Sequence, residues 1–185
     1  MHRQSAVLVG ASLLVTGVLL GAQVPGQAPL PREAAAQAGA KAGDQMFVMQ
    51  ALMAGMAEVE HGKLATQKAT NPKVKAFGEQ MVTDHGKAGD ELKTIASLKQ
   101  ITVPTSMGPK HQAAHDKLMK LSGAEFDRAY MTDMVMGHQE AVNDFTAEAN
   151  SGADPQVKAF AAKTLPTIQG HLKMAQDLQK QVSTN

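Results

Sequence analysis

The sequence predicts an all-α protein, a bundle of four long helices paired as two antiparallel hairpins. Three observations predict it. From Asp44 onward apolar residues recur at steps of three and four, the helical period, and strand patterns are lacking. Two Asx-Pro steps, Asn71-Pro72 and Asp154-Pro155, each pair a helix-capping residue with proline at the first helical position. The joints are also unequal, short within each pair of helices and roughly 20 residues long between the pairs.

The chain opens with a targeting segment. His2 and Arg3 form a short basic start, and the run from Ala6 to Gly21 is uncharged and apolar. Its length suits a signal peptide better than a membrane span of roughly 20 residues. Ala22 offers a small residue for cleavage, although Leu20 before it suits a signal peptidase less well, so an uncleaved anchor is the alternative. Residues 1–22 are therefore expected to direct export to the periplasm or cell envelope. With no cysteine in the chain, a lipoprotein is excluded. Residues 23–43 are mainly Ala, Gly, Gln and Pro without apolar periodicity, which predicts a flexible linker.

The bundle domain is expected over 44–182. The first helix spans about Asp44 to Ala69 and carries Phe47, Ala51, Ala54, Glu58, Gly62 and Ala65 on one face. The second starts at Asn71-Pro72, with Val74, Phe77, Met81, His85, Ala88, Leu92 and Ile95 as its stripe. Two prolines and a glycine between Ile101 and Pro109 make a loop, and a short helix follows from about Lys110 to Leu121. Ser122 and Glu125 form a capping-box pattern for the third long helix, whose stripe is Phe126, Tyr130, Met134, His138, Ala141 and Phe145. The fourth begins at Asp154-Pro155 and presents Val157, Phe160, Thr164, Ile168, His171, Ala175, Leu178 and Val182. Pro166 inside it should bend the helix about one turn before His171. The long crossover lets the third helix start at the end where the second started, which is the ferritin-like connection. A faint echo relates the hairpins: Asn71-Pro-Lys-Val-Lys-Ala-Phe77 resembles Asp154-Pro-Gln-Val-Lys-Ala-Phe160.

Composition narrows the function. Without residues 1–22 the chain keeps 17 of its 18 basic residues against 17 acidic ones. A neutral domain with one Tyr and no Trp gives no basic face for nucleic acid. Thiolate metal sites are excluded, and packing or a ligand must stabilise the domain without disulfides. No nucleophile elbow, phosphate loop or dinucleotide fingerprint is present.

What stands out is polar residues on apolar faces. Three of the four stripes hold one histidine each, His85, His138 and His171, and the first helix holds Glu58 in the comparable place. In an antiparallel hairpin, residues equidistant from the turn lie level. Glu58 precedes Asn71 by 13 residues and His85 follows it by 14, while His138 precedes Asp154 by 16 and His171 follows it by 17. Between hairpins the counts differ by three residues, or roughly 4.5 Å, which a modest slide would cancel. A buried carboxylate or imidazole without a partner is costly, so such groups need one another, water or a cation. Neutral imidazoles with a carboxylate suit a divalent first-row metal ion, with Zn, Fe, Mn or Cu all admissible. The competing reading is a hydrogen-bonded Glu–His network that fixes register.

Other patterns weigh less. Glu58 and His61 have the Glu-x-x-His spacing of di-iron bundles, but His61 points about 60° away and the pair sits on the wrong helix. Three residues before His85 and His171 stand Val82 and Ile168, so the carboxylates of a di-iron centre are missing. His111 and His115 are one turn apart on the crossover helix, where a solvated face is expected. Met46, Met49, Met53 and Met56 form a stripe opposite Glu58; thioethers can hold Cu(I), yet a self-association or protein-partner surface is the better use. Tyr130 lies two turns before His138 and about 80° round the helix, so it could serve a metal-dependent oxidoreductase only from behind the ligands.

The segments EVEHGKLATQKATNPKVKAFGEQMVTDH (Glu58–His85), LSGAEFDRAYMTDMVMGHQEAV (Leu121–Val142) and DPQVKAFAAKTLPTIQGHLKMAQDL (Asp154–Leu178) resemble domain-of-unknown-function family 4142. That family comprises exported, ferritin-like bacterial proteins, often labelled outer-membrane proteins. The resemblance covers about Asp44 to Leu178. It implies a helical bundle in the cell envelope and recurrent polar positions at Glu58, His85, His138 and His171, with His61 a departure from the family pattern. It brings no activity. The outer-membrane label fits poorly, since no alternating barrel strands exist. Three functions stay open on the sequence: a metal-binding bundle, a structural or interaction module, and a metal-dependent oxidoreductase.

Overall fold

The Asx-Pro steps start two helices, as expected. Asn71 Oδ1 accepts from the Lys73 amide at 2.9 Å, and Asp154 Oδ1 accepts from those of Gln156 at 2.9 Å and Val157 at 3.3 Å. Each side chain thus satisfies amides that a first helical turn leaves without partners. The computed structural model describes residues 31–184, with side chains from Ala42 on. The expected targeting segment, 1–22, and the first part of the expected linker lie outside the described residues. Five helices and no strand occur among the described residues: α1 (Pro31–Lys68), α2 (Pro72–Leu98), α3 (Gly108–Met119), α4 (Gly123–Ser151) and α5 (Pro155–Ser183). None is long and apolar enough to cross a membrane.

Two details differ from the sequence expectation. Helix α1 starts at Pro31, not near Asp44, so the second half of the expected linker is helical. Alanine is the best helix former and proline is tolerated in a first turn, so this stretch is helical without any apolar stripe. Ser122 does occupy the position before α4, but its side chain makes no capping bond, and Gly123 takes a left-handed φ of +62°. At Pro166 the helix runs on unbroken.

Helix α1 packs against α2, and α4 against α5; α1 also meets α4, and α2 meets α5. Each turn is held by an acid from the opposite hairpin. Asp127 on α4 accepts from the Thr70 amide at 3.2 Å, the Thr70 hydroxyl at 2.7 Å and the Asn71 amide at 2.9 Å. Asp44 on α1 accepts from the amides of Ala153 at 3.0 Å and Asp154 at 2.8 Å. Both carboxylates are buried.

Apolar side chains gather in two clusters. One holds Phe77, Met81, Phe126, Tyr130, Met134 and Ala175. The other holds Phe47, Leu92, Phe145, Phe160 and Ile168. In sequence His85 falls between Met81 and Leu92, His138 between Met134 and Phe145, and His171 between Ile168 and Ala175. The histidines therefore form a polar layer between two apolar ones.

Candidate metal centre

Helices α2, α4 and α5 each bring one imidazole to this layer. The ring centroids of His85, His138 and His171 lie 5.5 Å apart in all three pairs. One ring nitrogen from each falls within 4.8 Å of the other two. Phe77 floors the group, its ring 6.3 Å from His138 and 6.4 Å from His171.

Hydrogen bonds fix two of the tautomers. His138 Nδ1–H donates to the Met134 carbonyl at 2.9 Å, which leaves the lone pair on Nε2. His171 Nε2–H donates to Asp84 Oδ2 at 3.0 Å, which leaves the lone pair on Nδ1. His138 Nε2, His171 Nδ1 and His85 Nε2 are all buried without a partner. A hydrogen-bonded register network would have paired them; here the acceptors of His138 and His171 meet the His85 ring and no bond forms among the three.

The electrostatics keep the rings neutral. Burial, reinforced by His138 and His171, pushes His85 down to about 3. Burial also lowers His138, against the opposing effects of the Met134 carbonyl and Asp133. It lowers His171 too, against the bond to Asp84. Neutral imidazole is the form a cation requires, and a carboxylate behind a ligating ring is the usual means of orienting it. Three such nitrogens must close by up to about 1.5 Å to reach the spacing of ligands bound at about 2.05 Å.

Glu58 takes a different place. It reaches the layer from α1 under Gly137, where a Cβ would lie 3.3 Å from Glu58 Oε1. That oxygen is 3.8 Å from His138 Nδ1, the ring edge bonded to Met134, so the carboxyl stands beside the three nitrogens and not among them. Its Oε2 is buried without a partner. Burial drives the carboxyl up to about 8, with His61 lowering it and Asp133 raising it.

His61, set aside in the sequence, is 2 % exposed, and its Nδ1 lies 3.1 Å from Asp133 Oδ2. Its ring stacks on His115 of α3 at 5.6 Å. The expected solvated face of α3 is thus partly turned inward at His115. Two lone residues on separate elements carry no shared period, so only the packing of α3 on α1 reveals the pair. Tyr130 is fully buried in the apolar cluster beside Phe77. Its hydroxyl lacks a partner, and burial raises it well above the usual phenol range. Met46 is 60 % and Met49 39 % exposed, whereas Met53 faces a cavity.

That cavity, about 770 Å³, is lined by all three histidines, Glu58 and His61. Its far walls are Phe47, Leu92, Phe145, Phe160 and Ile168.

Residues 29–178 match the family described as "Domain of unknown function (DUF4142)". Among curated proteins none matches the chain. Among solved structures the chain is similar to a DUF305 fragment from Deinococcus radiodurans, at TM-score 0.67 and 14 % identity, over 75 % of this chain and 96 % of that one. It is also similar to CopM in its Cu(II)-bound form, at TM-score 0.64 and 20 % identity, and in its Cu(I)-bound form, at 0.63 and 18 %. Both cover 75 % of this chain and 96 % of theirs. At these identities the likeness establishes a shared helical fold.

Proposed function

This chain belongs to the DUF4142 family, and we propose that it is an exported, ferritin-like bundle that binds a divalent first-row metal ion through His85, His138 and His171. One observation carries the reading: three imidazoles from three helices each bring a nitrogen within 4.8 Å of the other two, and His85 Nε2, His138 Nε2 and His171 Nδ1 are buried without a hydrogen-bond partner. Leaving three such nitrogens unsatisfied is costly in an apolar layer, and a cation removes that cost. Glu58 serves beside the site, against the ring of His138.

Zn, Fe, Mn and Cu all accept imidazole. Copper(II) is the ion to load first, because divalent affinities peak there and the structural neighbour CopM is described in copper-bound forms. Export rests on the basic start and apolar run within residues 1–22. The exposed Met46 and Met49 are offered to a partner or a second copy.

Elemental analysis of tag-free protein tests the site. One ion per chain is expected, and the His85→Ala His171→Ala double variant should carry none. Retention of stoichiometric metal by that folded variant would place the ion elsewhere and overturn the three-histidine site; wild-type protein without metal favours a structural or interaction module.

A further inference from the structure

Three corners of the bundle supply an imidazole to this layer; the fourth, α1, brings the Glu58 carboxyl, with the His61 ring one turn on and set against Asp133. At this level α1 offers Ala54, Gly55 and Glu58, and in front of them lies the 770 Å³ cavity. We propose that this cavity is a chamber for a small organic monoanion, whose oxygen takes the open coordination position while its apolar body fills the space beyond. The inference rests on the three-histidine metal site.

Packed interiors leave few voids larger than a water, whereas ligand sites run from about 300 to 1,000 Å³. This void is made by small residues on three helices: Ala54 and Gly55 of α1, Ala88 and Gly89 of α2, Gly137 and Ala141 of α4. Leucine or phenylalanine at such places would close it. It is open to the surface, lined by the exposed pairs Glu91–Lys163, 2.8 Å apart across α2 and α5, and Lys110–Glu140, across α3 and α4. Its inner end holds the imidazoles and the unpartnered Glu58 Oε2; its other wall is aromatic and aliphatic. A site with three protein ligands and one open position is the kind that admits an exogenous molecule.

Charge selects the class. Three neutral imidazoles leave a divalent ion uncompensated, and Asp84 behind His171 offsets one charge. An anionic oxygen at the open position supplies charge that the imidazoles do not, and the apolar walls favour a body attached to it.

The test uses the full chain loaded with Cu(II), with copper content measured first. Azide, titrated by absorption, should give a new charge-transfer band, and benzoate should displace it with affinity about tenfold or more above acetate. Gly55 and Gly89 line the chamber, and a Cβ at either meets nothing within 4 Å. Gly55→Leu and Gly89→Leu should therefore fold and keep one copper while at least one loses benzoate affinity about tenfold. Copper bound without any response to azide or benzoate overturns the inference and leaves the metal site standing. So does benzoate binding that equals acetate or is unchanged in both variants. Failure to bind copper, zinc, iron or manganese at all overturns the metal reading itself and this inference with it.

Discussion

Glu58 shows how a single carboxyl couples burial to pH. Its folded state holds the proton up to about 8, against an ordinary value of 4.5, chiefly because burial penalises the charge. A raised folded value means that the native chain binds more protons than the unfolded one. The resulting stability is complete below 4.5 and is lost as pH rises through 8. Glu58→Gln keeps the shape without the titration. Thermal melts of metal-free protein from pH 5 to 9 should show the wild type falling relative to Glu58→Gln, with a gap on the order of 2–4 kcal/mol at pH 9. Parallel curves would refute the buried neutral acid. The sequence made the meeting of His85, His138 and His171 legible, because counting from each turn gives height and the period gives the face. It did not say which edge of His138 Glu58 would meet. That depends on side-chain torsions and on Gly137 leaving room, and neither is periodic. His61 and His115 stayed hidden for the same kind of reason.

Within elements, glycine and aspartate do what apolar stripes cannot. Helices α1 and α2 cross so closely that a Cβ on Gly62 would lie 2.7 Å from the Gly78 carbonyl oxygen, and one on Gly78 2.7 Å from Ala65 Cβ. Backbone cannot yield there as a flexible side-chain tip would. Gly78→Ala gains about 1 kcal/mol of helix propensity but forces the crossing apart at a cost of about 1–3 kcal/mol. We expect a net loss of about 1 kcal/mol, measured by urea denaturation; a stabilised variant would show that the crossing is loose. The two turns are a second case. Asp44 and Asp127 lie 83 positions apart, as do Asn71 and Asp154, so the echo seen in the sequence extends to the acids that hold the turns. Removing Asp127 strands the amides of Thr70 and Asn71 in a partly buried place. Asp127→Ala should cost about 2–4 kcal/mol and raise amide exchange at Thr70 and Asn71 before the rest of α2. Exchange that rises uniformly would mean that the carboxylate holds the whole bundle. Helix starts at Pro72 and Pro155 were legible because capping is local chemistry, whereas the roles of Asp44 and Asp127 were not, since each bonds a segment far away in the chain.

At the scale of the whole molecule these titrations pull in opposite directions. Glu58 at about 8 and Glu148, pushed up to about 7 by burial and by Asp44, favour the folded state below neutrality and release it as pH rises. The histidines act the other way. With His85 lowered to about 3 from 6.5, the unfolded chain takes up protons first, so stability present above 6.5 is lost as pH falls toward 3. Metal-free protein should therefore melt highest between about pH 5 and 7 and fall on both sides. A bound ion raises the curve wherever it binds, and acid removes that gain by protonating its ligands. Held at about 100 times its dissociation constant, it adds about 2.7 kcal/mol, or roughly 5–10 °C for a domain of this size. Protons compete with it only when they can reach the imidazoles, and buried rings resist protonation well below the range of exposed histidine. Calorimetry with and without Cu(II) from pH 4 to 9 should thus find the gap between the two curves intact at about pH 5.5 and absent in His85→Ala His171→Ala. A gap that closes between pH 7 and 6 would place the ion on histidines outside this buried layer, with the half-buried His111 as the first to substitute.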